Sequence, residues 1–142
     1  MKKVLILNGP NLNMLGIREP QIYGTKTYND LVVFLKQNAK RLGLEVDIYQ
    51  SNYEGKLIDI LQDNYQKYDY LLVNAGGLTH YSVSLRDAIK GCGYKTISVH
   101  LSDIDNREDF RKVDLLKDIS IKEFIGEGFD SYLHALEYIE EH

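Results

Sequence analysis

The sequence predicts an α/β fold in which helices cover both faces of a parallel sheet. Segments with strand character alternate with amphipathic segments, short turns join them, and no internal repeat or low-complexity tract interrupts the pattern. The chain has 142 residues, of which 44% are hydrophobic, and this suits the core of one domain. We therefore expect residues 1–142 to form a single domain.

The predicted elements follow each other in regular order. The first strand, KVLILN, is an unbroken apolar run, which is typical of a strand buried on both faces. The first helix has Thr27 as its N-cap, Asp30 three residues later, and Gly43 where it ends. Strands are expected at 3–8, 44–50, 68–74, 95–100 and 119–125, and helices at 27–43, 55–68, 81–91 and 128–142.

The size and the alternation fit a flavodoxin-like doubly wound domain. Such a domain has a five-stranded parallel sheet of order 2-1-3-4-5 between two layers of helices, a three-layer αβα arrangement. Ligands bind such sheets at the carboxyl ends of the strands, near the point where the strand order reverses. We therefore expect a site between the ends of strands 1 and 3.

The least ordinary segments all come where a strand ends. They are NGPNLN after strand 1, QSNYEG after strand 2, NAGGLTH after strand 3 and HLSDIDNREDFR after strand 4. Parallel strands bring all four to one edge of the sheet, whereas the turns at the other edge are short and plain. The longest irregular stretch, 7–24, is expected to be an active-site lid because long loops in compact domains are usually functional or disordered.

The residues at this edge suggest a small, oxygen-rich, anionic ligand. Three of the five arginines and two of the four histidines are there, but none of the twelve lysines. Arginine without lysine favours a planar carboxylate, and amides and imidazoles favour hydroxyls and carbonyls. The edge contains Asn8, Asn11, Asn13, Arg18, Tyr23, Asn74, His80, His100, Ser102, Arg107 and Arg111.

Composition excludes several classes of protein. A net charge of −4 does not favour nucleic acid as a partner, and no apolar run approaches the roughly 20 residues of a membrane span. The N-terminal apolar run is too short for a secretion signal, and the lone Cys92 suits a reducing compartment, so we expect a cytoplasmic protein. No dinucleotide or P-loop motif is present, no lysine ends a strand, and the histidines are too scattered for zinc. We therefore expect neither a cofactor nor a metal.

General acid and base chemistry remains. His100, at the mouth of the sheet, can donate a proton near neutral pH. Tyr23 is a candidate base because Arg18 lies five residues before it. A tyrosine pKa of about 10 would have to fall by about 3, equivalent to about 4 kcal/mol. A cation about 4 Å away at an effective dielectric of about 20 supplies about that free energy.

Ordinary structural roles also explain these residues singly. Tyr23 is one of eleven tyrosines, His80 or His100 alone is more often structural, and Asn11 and Asn13 could satisfy turn backbones. Arg107 and Arg111 have helical spacing with acidic residues between them, which is typical of a solvated charged face. Their joint position at one edge favours function.

The same motifs resemble a known family. NGPNLNMLGIREPQIYG, SNYEG, NAGGLTHYSVSLRDA, VHLSDIDNREDFR and GEGFDSYLHAL are similar, in order, to segments of the type II 3-dehydroquinate dehydratases. These are cytosolic, cofactor-free hydro-lyases of the shikimate pathway, which leads to chorismate and the aromatic amino acids. The resemblance implies anti elimination of water from 3-dehydroquinate through an enolate.

The resemblance also implies residue roles. Tyr23 would remove the C2 proton, and Arg18 would keep the Tyr23 side chain in its phenolate form. Asn11 would help hold a water at the enolate oxygen. His100 would protonate the departing C1 hydroxyl. The resemblance also implies a dodecamer built from trimers, in which one residue of each subunit would serve a neighbouring subunit's site. The implied binding residues are Asn74, Leu101 and Ser102 for the carboxylate, His80 and Arg111 for the ring hydroxyls, and Asp87 for the neighbouring site.

The chain departs from the family pattern in four places. Ser98 stands where the family usually has Glu, so we expect no charge from this position to tune His100 and a reduced or acid-shifted protonation step. Tyr53 and Tyr81 replace a histidine and a smaller residue, and 113–123 is unusually rich in acidic residues and lysine. A non-catalytic paralogue that binds a small hydroxylated carboxylate therefore stays open, and so does a flavin or nucleotide carrier, although the phosphate turn is missing.

Overall fold

A computed structural model of the chain describes residues 1–18, 21 and 25–142. Its five strands form one parallel sheet of order β2-β1-β3-β4-β5, as predicted. The strands are β1 (Lys3–Asn8), β2 (Glu45–Gln50), β3 (Tyr70–Asn74), β4 (Thr96–His100) and β5 (Lys122–Ile125). The helices of the described part are α1 (Tyr28–Leu42), α2 (Glu54–Asp63), α3 (Val83–Gly91) and α4 (Phe129–Glu141).

The helices cover the two faces of the sheet in pairs, which confirms the αβα arrangement. One apolar core contains Leu31, Leu35 and Leu136 from α1 and α4, and the other contains Leu57 and Leu85 from α2 and α3. The inner strands β1, β3 and β4 are buried along almost their whole length, because each faces both cores. The edge strand β2 alternates between exposed and half-buried residues instead.

Local sequence was sufficient to predict both ends of α1 but not the end of α2. The predicted capping box is present, with Asp30 N–H donating to Thr27 Oγ1 and Thr27 N–H donating to Asp30, and Gly43 ends α1 at φ 72°. The second helix was predicted to run to residue 68, which is wrong. It ends at Asp63, where Asn64 Nδ2 donates to the Ile60 carbonyl and Gln66 takes φ 62°.

The segments after strands 1, 3 and 4 form short 3-10 turns rather than plain loops. They are Leu12–Met14, Gly76–His80, Ile104–Asn106 and Asp109–Lys112. Leu12 and Leu15 are buried in the core beside α1, so the first part of the predicted lid is anchored. The second part of 7–24 includes residues 19, 20 and 22–24, which lie outside the described residues.

Candidate active site

A pocket opens at the carboxyl ends of β1, β3 and β4, where the strand order reverses. Its volume is about 130 Å³. The described residues that line it include no aspartate, glutamate or lysine, although three arginines are present. The lining consists of Pro10, Asn11, Leu12, Leu15, Arg18, Asn74, Gly76, Gly77, His80, His100, Leu101, Ser102, Ile104, Arg107 and Arg111.

Two glycines let the ends of β1 and β3 approach closely at the floor of the pocket. Gly9 N–H donates to the Asn74 carbonyl (2.8 Å), and a Cβ on Gly9 would lie 2.5 Å from the Ala75 carbonyl oxygen. Gly76 has φ 59°, and a Cβ there would meet the Pro10 carbonyl oxygen at 2.9 Å. Gly9 and Gly76 are therefore required by backbone packing, whereas a Cβ on Gly77 would meet nothing within 4 Å.

A buried hydrogen-bond chain holds Asn74 in place. Tyr132 Oη donates to Asn8 Oδ1 (2.6 Å) and accepts from Asn74 Nδ2 (3.0 Å), while Gly76 N–H donates to Asn74 Oδ1 (3.2 Å). Burial raises the pKa of Tyr132 well above its ordinary value, so its hydroxyl stays protonated. Nothing in the sequence distinguishes Tyr132, because a tyrosine in the last amphipathic helix looks the same as an ordinary core residue.

Asn11 stands at the rim of the pocket in a left-handed conformation. Its φ is 71°, which asparagine tolerates better than most residues, and its N–H donates to Asn52 Oδ1 (3.0 Å). Gln50 Nε2 donates to the same Oδ1 and to Asn13 Oδ1. Asn11 therefore serves the turn through its backbone, and its side chain makes no cap hydrogen bond there.

Three arginines give the pocket its positive charge. Arg111 Nε donates to Glu108 Oε2 (2.6 Å), and Arg107 Nε lies 4.0 Å from the same oxygen. The side chains of Arg107 and Arg111 are mostly buried, so the alternative of a solvated charged face is wrong. Arg107 lines the pocket although the resemblance assigned it no role, and its occurrence at the polar edge was the only signal for it.

His80 is held by one ring nitrogen. Nδ1 lies 2.7 Å from the Val113 carbonyl oxygen, which can only accept, so Nδ1 carries the proton. In the neutral ring Nε2 is then an acceptor and is available to a hydroxyl in the pocket. This geometry suits the hydroxyl-binding role that the resemblance implies.

His100 faces the pocket on one side and two carboxylates on the other. Its Nε2 lies 3.7 Å from Asp114 Oδ2 and 3.8 Å from Glu123 Oε2. Nδ1 is consequently the nitrogen left for a ligand in the pocket. Ser98 brings no charge to His100, as expected, but two carboxylates from other elements lie near the imidazole; the expected reduced or acid-shifted protonation step stays a prediction.

Ser98 itself is engaged elsewhere. Ser120 Oγ donates to the Leu116 carbonyl (2.6 Å), so at the 2.6 Å contact between the two serines Ser98 Oγ is the donor. Asp114 and Glu123 both come from the unusually acidic segment 113–123. The sequence showed that this segment is unusually acidic but not that it lies beside His100, since the contacts of Asp114 and Glu123 with His100 join residues from different elements.

The predicted site residues fall into three groups. Tyr23, the predicted base, lies outside the described residues. Asp87 is exposed on α3 and does not line the pocket. The other eight line the same pocket: Asn11, Arg18, Asn74, His80, His100, Leu101, Ser102 and Arg111.

Comparison with known proteins decides the family. Residues 2–140 match the model of the family described as dehydroquinase class II. The chain belongs to the class II dehydroquinase family. It is 46% identical over 136 residues to the 3-dehydroquinate dehydratase of Endomicrobium trichonymphae, covering 96% of this chain and 95% of that protein. It is 44% identical over 139 residues to that of Halothermothrix orenii, covering 98% and 94%.

A solved dehydroquinase agrees with the sequence relatives. The crystal structure of the type II dehydroquinase from Butyrivibrio crossotus superposes with a TM-score of 0.95 at 38% identity, covering 99% of this chain and 98% of that one. The flavodoxin-like sheet predicted from the sequence is thus the sheet of a class II dehydroquinase.

Proposed function

We propose that the chain is an active 3-dehydroquinate dehydratase, which converts 3-dehydroquinate to 3-dehydroshikimate in the shikimate pathway. One observation carries the proposal: eight of the ten residues that the resemblance selected line one pocket. The three arginines and the absence of acidic residues among the described lining suit a carboxylate substrate.

The reaction needs one base and one acid on opposite sides of the substrate ring. In our proposal the Tyr23 phenolate, stabilised by Arg18, takes the C2 proton, and the electron pair of the C–H bond forms the enolate. Asn11 helps to hold a water at the enolate oxygen. His100 then gives a proton to the C1 hydroxyl, the enolate electrons form the C1–C2 double bond, the C1–O bond breaks, and water leaves.

The remaining pocket residues bind the substrate. We propose that Asn74, Leu101 and Ser102 hold the carboxylate and that His80 and Arg111 hold the ring hydroxyls. The Asn74 amide is already oriented by Tyr132 and Gly76, so little side-chain freedom is lost on binding.

The assembly and the cellular location are part of the same proposal. We propose that residues 1–142 act as one catalytic domain in a cytoplasmic homo-oligomer, a dodecamer built from trimers. The exposed position of Asp87 on α3 leaves it accessible to a neighbouring subunit's site. None of the described helices has the length and apolar character of a membrane span.

Turnover of 3-dehydroquinate by purified protein tests the proposal. The protein is dialysed against a chelator, and the conjugated enone of the product is followed by its ultraviolet absorbance. We expect turnover by the native chain and a loss of about 10²-fold or more in kcat for Tyr23→Phe, because the base is removed. Tyr65→Phe, an exposed tyrosine away from the pocket, is the matched control and should keep full activity.

The negative outcomes separate the alternatives. A folded native protein that binds 3-dehydroquinate without turning it over would be the non-catalytic paralogue. A yellow cofactor that co-purifies would indicate the flavin carrier. Ser98 was the only support for an impaired paralogue, and the two carboxylates beside His100 weaken that support.

A further inference from the structure

Three buried polar atoms converge behind the pocket. They are His100 Nε2, Asp114 Oδ2 and Glu123 Oε2, and all three lie within 4.8 Å of one another. The three side chains are only 7%, 6% and 16% exposed. Within the described part of the chain, none of these atoms has a hydrogen-bond partner. Buried polar atoms without a partner are costly, so this arrangement needs a physical reason.

The fold directs both carboxylates at the imidazole. Glu123 on β5 pairs in register with Ser98 on β4, and Ser98 shares a face of the sheet with His100 because side chains alternate along a strand. Asp114 approaches from the segment before β5, where Leu116 N–H donates to its other oxygen, Oδ1 (2.9 Å). That hydrogen bond leaves Oδ2 directed toward the ring.

The pKa values of the two carboxyl groups are shifted in opposite directions. Burial raises the pKa of Glu123 to about 8, and the neighbouring Asp114 carboxylate adds to the effect. Lys117 lowers the pKa of Glu123 and Asp105 raises it, so the nearest outer charges oppose each other. Burial alone would raise the pKa of Asp114, but the adjacent His100 imidazole and Glu123 carboxyl group keep it below its usual value. At neutral pH the pair is therefore an ionised Asp114 beside a protonated Glu123.

We propose that Asp114 is a positioning residue for His100 and that Glu123, whose Oε2 lies within 4.8 Å of Asp114 Oδ2, orients Asp114. The proposal rests on the proposed dehydratase function, because positioning matters only if His100 is the acid. Asp114 accepts from Nε2–H, so the ring presents Nδ1 to the pocket; as the imidazolium, His100 gives its Nδ1 proton to the C1 hydroxyl and keeps the proton on Nε2. Separations of 3.7 and 3.8 Å exceed a hydrogen bond by a few tenths of an ångström, and catalytic hydrogen bonds often shorten when substrate binds.

This arrangement relocates a function rather than abolishing it. The family resemblance placed a Glu at position 98, on the strand that bears His100. Here Ser98 is small, and the carboxylates come from the neighbouring strand and the segment before it. The uncommon serine and the acidic segment 113–123 are then two parts of one arrangement.

Kinetics of isosteric variants provide the first test. We expect Asp114→Asn to lower kcat by about 10²-fold while KM changes by less than about 3-fold, because the acid is misoriented but the pocket is intact. Glu123→Gln, whose amide can still donate to Asp114, should keep at least about 10-fold more activity than Glu123→Ala. The control is Asp118→Asn, which should leave kcat unchanged. Asp118 lies in the same segment as Asp114, but its carboxylate is exposed and pairs with Arg86 on α3.

Adding the carboxylate back on β4 provides a rescue. Ser98→Glu in the Asp114→Asn background should recover at least about 10-fold of the lost kcat, because a carboxylate again faces Nε2. An Asp114→Asn protein with native kcat would overturn the proposal. Inactivation by a chelator, reversed by zinc in the native protein but not in Asp114→Asn, would also overturn it, since the three atoms would then hold a cation.

A spectroscopic readout separates this inference from the proposed function. Long-range ¹H–¹⁵N correlation of the imidazole, assigned by comparison with His100→Asn, reports which ring nitrogen carries the proton without any turnover. We expect a protonated Nε2 in the native chain and an altered nitrogen pattern in Asp114→Asn and Glu123→Ala. If the native chain lacks activity but shows this pattern, the dehydratase proposal fails and the positioning holds. If the pattern is the same in all three proteins, the positioning fails.

Discussion

Removing one hydroxyl from the core tests the hydrogen-bond chain beneath the pocket. Tyr132→Phe leaves Asn8 Oδ1 and Asn74 Nδ2 without the partners they have at 2.6 and 3.0 Å. Asn8 is fully buried, and an unsatisfied buried acceptor costs about 1–3 kcal/mol. Asn74 borders the pocket, where water can replace part of its lost hydrogen bond. We expect the free energy of unfolding to fall by about 2–3 kcal/mol.

Urea denaturation followed by helical circular dichroism measures this loss. Tyr138→Phe, in the same helix, is the control, because its hydroxyl forms no hydrogen bond within the described residues. It should change stability by less than about 0.5 kcal/mol. If the two variants lost the same small amount, the hydrogen-bond chain would contribute nothing and the reasoning would be refuted. KM for 3-dehydroquinate should also rise in Tyr132→Phe alone, since Asn74 loses its anchor.

Three further outcomes are expected. The free energy of unfolding should fall by up to about 5 kcal/mol from pH 4.5 to about 8, because folded Glu123 keeps a proton that the unfolded chain releases. Glu123→Gln should lack this fall. If the free energy of unfolding changed equally with pH in both proteins, the raised pKa would not belong to Glu123. Gly9→Ala should cost about 1–3 kcal/mol in urea denaturation, since its Cβ would collide with the Ala75 carbonyl, whereas Gly55→Ala in open space should be neutral or stabilising. Arg107→Ala should raise KM about 10-fold or more with a smaller effect on kcat, and an unchanged KM would exclude Arg107 from binding.

Local sequence determined the elements of this fold and the edge that carries the pocket. Apolar runs mark the inner strands β1 and β3 because these strands face two cores. The Thr27 capping box and Gly43 determine the ends of α1 through contacts within a few residues. Parallel strands leave only one edge for the polar segments. The strand order and eight lining residues of the pocket could therefore be predicted without coordinates.

Helix α2 and the segment before α1 show the limit of local patterns. The apolar pattern continued past Asp63, but the Asn64 side chain competes for the last carbonyls and ends the helix. In the predicted lid, Leu12 and Leu15 gave no periodic signal, and tertiary packing in the core beside α1 buries them. Such outcomes depend on which surfaces meet.

Only the tertiary structure decided how the acid is supported. By itself, the sequence determined that His100 ends a strand and that Ser98 brings no charge. It could not show that Glu123 lies opposite Ser98 in the register or that Asp114 reaches the same imidazole nitrogen. The physical reason is that hydrogen bonding and burial act through space, whereas sequence patterns report on neighbours along the chain.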